Sequence, residues 1–173
     1  MRPETIDRRL IMRVLAVWKK AAGDRAFPRR SQIDPRLFGR DWSHCVLIDI
    51  DPALAHSRLA YVGEILRDPS WPPFERQCIS DCLDGSLLQL ATGQIGVVLA
   101  RGVPISFGGS AVHDEGPILY RSILLPLSED DVAIDGVLGA VNYREVASRN
   151  EAHLDLESGV VQVGADHPTP LLS

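Results

Sequence analysis

The sequence predicts an α+β fold: a five-stranded antiparallel sheet with helices on one face and an additional N-terminal amphipathic helix. Three observations point there. Apolar residues recur at helical spacing over Thr5–Ala22. Two strand-like runs, Cys45–Ile50 and Arg58–Ile65, precede a helical middle. Three more, Val103–Val112, Tyr120–Leu127 and Val137–Tyr143, follow it. Strands first and last with helices between them build one antiparallel sheet with helices on one face.

The first element is a helix over Thr5–Ala22. Ile6, Leu10, Ile11, Val14, Leu15 and Trp18 form one apolar stripe. Thr5 or Asp7 suits the N-cap, Lys19 and Lys20 suit the C-terminal dipole, and Gly23 suits the stop. Such a stripe needs cover. We expect a homodimer in which Ile6, Leu10, Val14, Leu15 and Trp18 lie across an open sheet face and also meet a second copy. Packing on the chain's own body is the alternative.

Phe27–Arg40 is a connector, broken by Pro28, Pro35 and Gly39 and anchored by Ile33, Leu37 and Phe38. Asp34-Pro35 reads as the start of a short helical turn, with the carboxylate at the cap and proline at the first position. Cys45–Ile50 and Arg58–Ile65 then form a hairpin across the Asp51-Pro52 break. Arg67–Pro73 holds three prolines and is irregular.

Phe74–Cys82 reads as a short helix, and Leu83–Arg101 as a longer one capped by Asp84 and ended by Gly102. Gly93 and Gly96 weaken it and imply a close neighbour. Val103–Val112 reads as a strand interrupted at Gly108-Gly109. The last two strands are joined by the acidic turn Ser128–Asp131 and a second turn signal at Asp135-Gly136. Beyond Tyr143 the chain is polar, with a further short strand or anchoring patch around Val160–Val163. The domain reading is residues 1–26 as a capping or dimerising helix, 27–146 as the sheet domain and 147–173 as a polar tail.

Composition narrows the function. The 173 residues are 45% hydrophobic, as in ordinary globular domains. No apolar run reaches the length of a membrane span, and charges interrupt any signal-peptide core at the N-terminus. The expected location is the cytoplasm. Cys45, Cys78 and Cys82 are an odd set, suited to a reducing compartment and to burial as small apolar residues.

The net charge of −5 hides a split. Residues 1–40 hold eleven Lys and Arg against four Asp and Glu, and residues 41–173 hold seven against nineteen. A basic arm can dock on its own acidic body or reach an acidic partner. No recognition motif supports nucleic acid.

Candidate chemistry is thin. His44, His56, His113, His153 and His167 have no partners at metal-ligand spacing, and Cys78 and Cys82 would share a helix face without further ligands. Gly93-Gln94-Ile95-Gly96 lacks the lysine and context of a phosphate loop. Ser106 and Ser110 do not sit in a nucleophile elbow. No cofactor is expected.

The order of elements, two strands, short helices ending in a longer one, then three strands, resembles the PAS order. Three stretches resemble a proteobacterial family of single-domain PAS-like proteins. They are the N-terminal helix with Trp18 leading to Pro28-Arg29 and Ile33-Asp34-Pro35; the strand Arg58–Gly63 with Tyr61 and Val62-Gly63; and Leu124-Leu125-Pro126-Leu127 with the acidic turn, Val137-Leu138-Gly139 and Tyr143. The resemblance covers residues 6–146. Glu64–Pro73 departs from the small-residue segment that family members carry there.

The resemblance implies a sensory or protein-interaction module of bacterial signal transduction, regulating a partner signalling protein by contact. A small apolar ligand would sit between the sheet and the helix of residues 83–101, walled by Tyr61, Ile95, Phe107 and Ile123. Haem is not expected, because residues 64–101 contain no histidine, nor is flavin, because Cys78 and Cys82 lack the flanking polar set. The alternatives are a PAS scaffold with no ligand and, in another class, a small thiol-dependent or hydrolytic enzyme using Cys78, Cys82 or His113.

Overall fold

The computed structural model describes residues 3–68, 77–82, 84–114, 116–146 and 161–162, with side chains described only between residues 8 and 146. Helix α1 spans Pro3–Ala22 and strands β1 and β2 span Cys45–Asp49 and Arg58–Val62. Helices α2 and α3 span Leu87–Thr92 and Ile95–Arg101. Strands β3, β4, β5 and β6 span Ile105–His113, Gly116–Leu127, Gly136–Glu145 and Val161–Gln162. Five strands in the order β2-β1-β5-β4-β3 form the antiparallel sheet, and the two-residue β6 pairs with Ile105 and Ser106 of β3. This is the expected α+β, PAS-like architecture.

Strand alternation sorts the side chains between two cores. Val46 and Ile48 of β1, Leu124 of β4 and Val137 and Val141 of β5 face α2 and α3. Their neighbours in sequence face the other way. Cys45, Leu47, Ile123, Leu125, Leu138 and Ala140 pack against Leu10, Ile11, Val14, Leu15 and Trp18 of α1. The sheet is therefore the middle of three layers, and α1 is one of the outer two.

The Leu-Leu-Pro-Leu run owes its proline to this layer. Proline cannot donate to a ladder, so it belongs where a strand has no neighbour on one side. Strand β3 starts at Ile105, opposite Leu124, so Pro126 lies beyond its end while still pairing with Val137 of β5. The Trp18 indole N–H takes the vacant place and donates to the Pro126 carbonyl at 2.9 Å. A buried carbonyl is thereby satisfied.

The Val62-Gly63 pair has an equally local cause. Val62 is buried in the core facing α2 and α3. Gly63 lies against the backbone of Ser43 and Cys45, where a Cβ would come within 2.2 Å of the Ser43 carbonyl oxygen. Its N–H donates to the Cys45 carbonyl at 2.7 Å. Only a residue without a side chain permits that approach.

The basic arm docks on its own acidic body. Arg25 donates to the carbonyls of Ser128 at 3.0 Å and Glu129 at 3.2 Å. Asp131 accepts the Phe27 N–H at 3.0 Å, and Ser128 donates its N–H to Pro28 at 3.1 Å. Arg30 pairs with Asp49. The acidic turn is thus a clasp for the chain leaving α1. It is internally rigid, because the Asp130 carboxylate accepts from the N–H groups of Val132 and Ala133, both at 2.9 Å, and from the Ser128 hydroxyl at 3.0 Å.

Several local expectations are corrected. Helix α1 begins at Pro3, so Thr5 and Asp7 lie inside it rather than at its cap. The helix expected over Leu83–Arg101 is two helices with a break at Gly93-Gln94. The cap is Ser86, whose hydroxyl accepts the Gln89 N–H at 3.1 Å, because Asp84 is engaged with the Gln89 side chain instead. Gly102, with φ of 64°, does end α3.

Gly96 meets nothing within 4 Å, so it does not mark a close neighbour. Gly108-Gly109 does not interrupt β3, which runs through both. Of the short helix expected over residues 74–82, the first three lie outside the described residues. Gln77 and Cys78 are extended along the outer edge of β2, and only Ile79–Asp81 forms a 3-10 turn. Leu37 is not an anchor: it is 54% exposed, while Ile33 and Phe38 are buried.

Candidate interaction surface

The four residues expected to wall a ligand space are divided by the sheet. Ile95 and Phe107 are buried on the face covered by α2 and α3. Ile123 is buried on the α1 face, and Tyr61 packs on that side too. A sheet lies between the two pairs, so they cannot bound one space. Position parity decides it: Ile123 follows Ser122 and precedes Leu124, and only the even-numbered side of β4 looks toward α2 and α3.

On that face the side chains of Leu88, Ala91, Ile95 and Val98 interdigitate with Val46, Ile105, Leu124 and Val141, all essentially inaccessible to solvent. Tyr61 has a different role. Its ring stacks on Trp42 with centroids 4.5 Å apart, and its hydroxyl donates to the Trp42 carbonyl at 3.2 Å. Burial, with the neighbouring Cys45 thiol, pushes its pKa up.

The residues expected at a dimer interface are taken up within the chain. Leu10, Val14, Leu15 and Trp18 are buried under the sheet, and the Ile6 side chain lies outside the described residues. A second copy could meet the four buried ones only if α1 left the sheet.

The candidate reactive groups stand apart from one another in chemistry. Burial pushes the Cys82 thiol up to about 11, with Asp81 adding to the effect. Burial also raises Cys45, whose thiol donates to the Asp41 carbonyl. Both are thiols at neutral pH, not nucleophilic thiolates. His113 meets Asp114 at 3.3 Å and lies edge-on to Tyr143 with centroids 5.5 Å apart. Among the described residues no group of three or more His, Cys, Asp or Glu could hold a metal ion. No helix among them is long and apolar enough to cross a membrane.

Two concave surfaces open to solvent instead. One, of about 420 Å³, lies at the end of α3 between Leu99, Gly102, Ile50, Phe27, Val132 and Ile134. The other, of about 600 Å³, lies between the outer flank of α1 and the 3-10 turns of the connector. Arg13, Ala16 and Val17 form one wall of it, and Arg36, Leu37, Phe38 and Arg40 the other.

Asp41 also lines that groove and is held in a two-point ion pair with Arg13, each contact 2.7 Å. Arg13 is mostly exposed and Asp41 is nearly covered, so the pair fixes the connector to α1 more than it stabilises it. At the opposite wall Asp34 caps the 3-10 turn Pro35–Leu37 by accepting the Arg36 N–H at 3.0 Å, and its carboxylate also pairs with the Arg36 guanidinium. Those bonds hold its pKa below the usual carboxylate range.

Sequence reasoning found the Asp34-Pro35 cap but not this groove. A signal was present. Arg13, Ala16, Val17 and Lys20 follow the spacing i, i+3, i+4, i+7, a second stripe on α1 beside the apolar one. No protein-family profile matches the sequence, and no curated protein matches it.

Proposed function

We propose that this protein is a PAS-like interaction module that regulates a partner signalling protein by contact, of the kind the sequence resemblance implies. One observation carries the reading. The face where PAS-like folds would hold a small ligand is occupied by the chain's own side chains from α2, α3 and the sheet, while concave surface opens on the outside of the molecule. Surface that is shaped and open is available to another macromolecule without any rearrangement of the core.

The alternative, a thiol-dependent or hydrolytic enzyme using Cys78, Cys82 or His113, finds less support at Cys82, where burial pushes the thiol up to about 11. A homodimer, if formed, would use surface other than the buried stripe of α1.

The test is native mass spectrometry of the purified full chain together with photocrosslinking from surface positions in the producing cell. The expected result is the mass of the bare polypeptide or its oligomer, and crosslinks to defined partner proteins. A small molecule present at one per chain after gentle purification would move the reading to a ligand sensor.

A further inference from the structure

We infer that the groove between α1 and the connector is the docking site for an acidic, amphipathic helix of a partner protein. The inference rests on the contact-module reading and names the partner's chemistry.

The groove combines apolar and cationic lining. Ala16, Val17, Leu37 and Phe38 are its apolar residues. Leu37 is 54% exposed, a large aliphatic side chain left in water on a short turn whose neighbours Ile33 and Phe38 are buried. Such a residue is a natural anchor for an apolar partner side chain. Around it stand Arg13, Arg36 and Arg40, with Lys20 one turn further along the same flank of α1.

Asp41 neutralises Arg13, and Asp34 pairs with Arg36. Among the described residues the Arg40 guanidinium has no ion pair, and it is exposed. The lining is therefore net positive, in a chain whose overall charge is −5. A negative partner is drawn to this surface and repelled by the rest of the molecule, which orients the encounter.

The shape selects a helix. One wall is the side of a helix and the other a run of 3-10 turns. Neither offers the free strand edge that an extended peptide would use. Recognition must come from side chains, as when an amphipathic helix lays its apolar face in a groove. Ala16 gives the approach room, being the smallest residue on that flank. Glu or Asp beside the apolar stripe of the guest would then meet Arg36, Arg40 and Lys20.

Fluorescence anisotropy tests this on the full chain. The probes are two synthetic amphipathic peptides of about 15 residues. Both carry Leu at i, i+3, i+4 and i+7; one flanks the stripe with Glu and the other with Lys. The Glu peptide is expected to bind and the Lys peptide is not. Leu37→Asp, and separately the double variant Arg36→Gln/Arg40→Glu, should each weaken binding about tenfold. These side chains are exposed, so circular dichroism should show both variants folded. Equal binding of the two peptides, or variants that bind like the parent chain, would overturn the inference.

So would displacement of the Glu peptide by a DNA duplex or by anionic vesicles, which would assign the groove to another class of partner. Self-association in sedimentation that Leu37→Asp abolishes would assign it to a second copy. A photocrosslinker placed at Leu37 and, separately, at Val132 distinguishes the two levels of the argument. Crosslinks to a partner from Val132 alone would retain a contact module and remove this groove. Crosslinks from neither would remove both.

Discussion

Both faces of the sheet hold fully buried side chains, but the two are covered by opposite means. On one face a single 20-residue helix, α1, supplies Leu10, Ile11, Val14, Leu15 and Trp18 from one continuous stripe. On the other, α2 and α3 are six and seven residues long, divided at Gly93-Gln94, and supply Leu87, Leu88, Ala91, Ile95 and Val98. Helices that short are not stable alone, so their order depends on the sheet beneath them. Helix α1 carries a periodic pattern of its own and is fixed at its end by the Trp18 hydrogen bond and by the clasp of Arg25 on the acidic turn. One layer is specified locally, and the other is specified by what it packs on.

The largest expected effect follows from removing the locally specified layer. Deleting residues 1–23 uncovers Leu47, Ile123, Leu125 and Leu138 in one contiguous apolar face. The shortened chain should be insoluble or should elute as aggregate in size-exclusion chromatography. A soluble, cooperatively melting product would show that the sheet needs only one cover.

Single core truncations compare the faces directly. Leu88→Ala on the α2 face and Leu125→Ala on the α1 face each remove a side chain with 0% exposure. Each should cost about 2–5 kcal/mol in urea unfolding. If the faces differ in their ability to collapse, the cost should be smaller at Leu88, because short broken helices can shift into the space. A loss below about 0.5 kcal/mol at either site would mean that layer is not part of the cooperative core.

Trp18→Phe keeps most of the apolar volume but leaves the buried Pro126 carbonyl without its donor. The expected loss is about 1–3 kcal/mol. Leu15→Met on the same stripe, a swap of similar volume, should cost less than about 1.5 kcal/mol. Equal losses would show that the hydrogen bond to Pro126 contributes little.

The smallest effect concerns the clasp. Bonds from Val132, Ala133 and Ser128 hold the Asp130 carboxyl below the usual carboxylate range. A folded pKa lower than the unfolded one gives stability that is complete above the ordinary carboxylate pKa. That stability is lost as pH falls through the depressed value. Asp130→Asn should therefore lower stability slightly at neutral pH and flatten the acid limb of the stability profile, so that parent and variant converge once pH falls below the depressed value. An acid limb identical to the parent's would show that the turn's order does not depend on this ionisation.

Elements whose patterns are local were legible in the residues alone. The α1 stripe repeats at helical spacing, Asp34-Pro35 carries its own cap chemistry, and the acidic turn between β4 and β5 is marked by residues that prefer water to burial. Val62-Gly63 and Leu-Leu-Pro-Leu were legible as motifs, though their reasons were not. Those reasons are the Ser43 backbone pressed against Gly63 and the Trp18 indole standing where β3 ends. Such partners lie far away in the chain.

Which face each strand residue serves depends on long-range packing. Ile123 alternates with residues of the other core, and at Tyr61 a shift in the β1–β2 register places both Ala60 and Tyr61 on the α1 side. The same holds for the break in the helical middle at Gly93-Gln94, since a continuous apolar pattern does not reveal where packing ends one short helix and starts another. The groove beside α1 belongs to this second kind. Its two walls are contributed by residues 13–17 and 36–41, and contacts formed across the fold bring them together: the Arg13–Asp41 pair and the burial of Phe38 in the core that holds Leu10 and Val14.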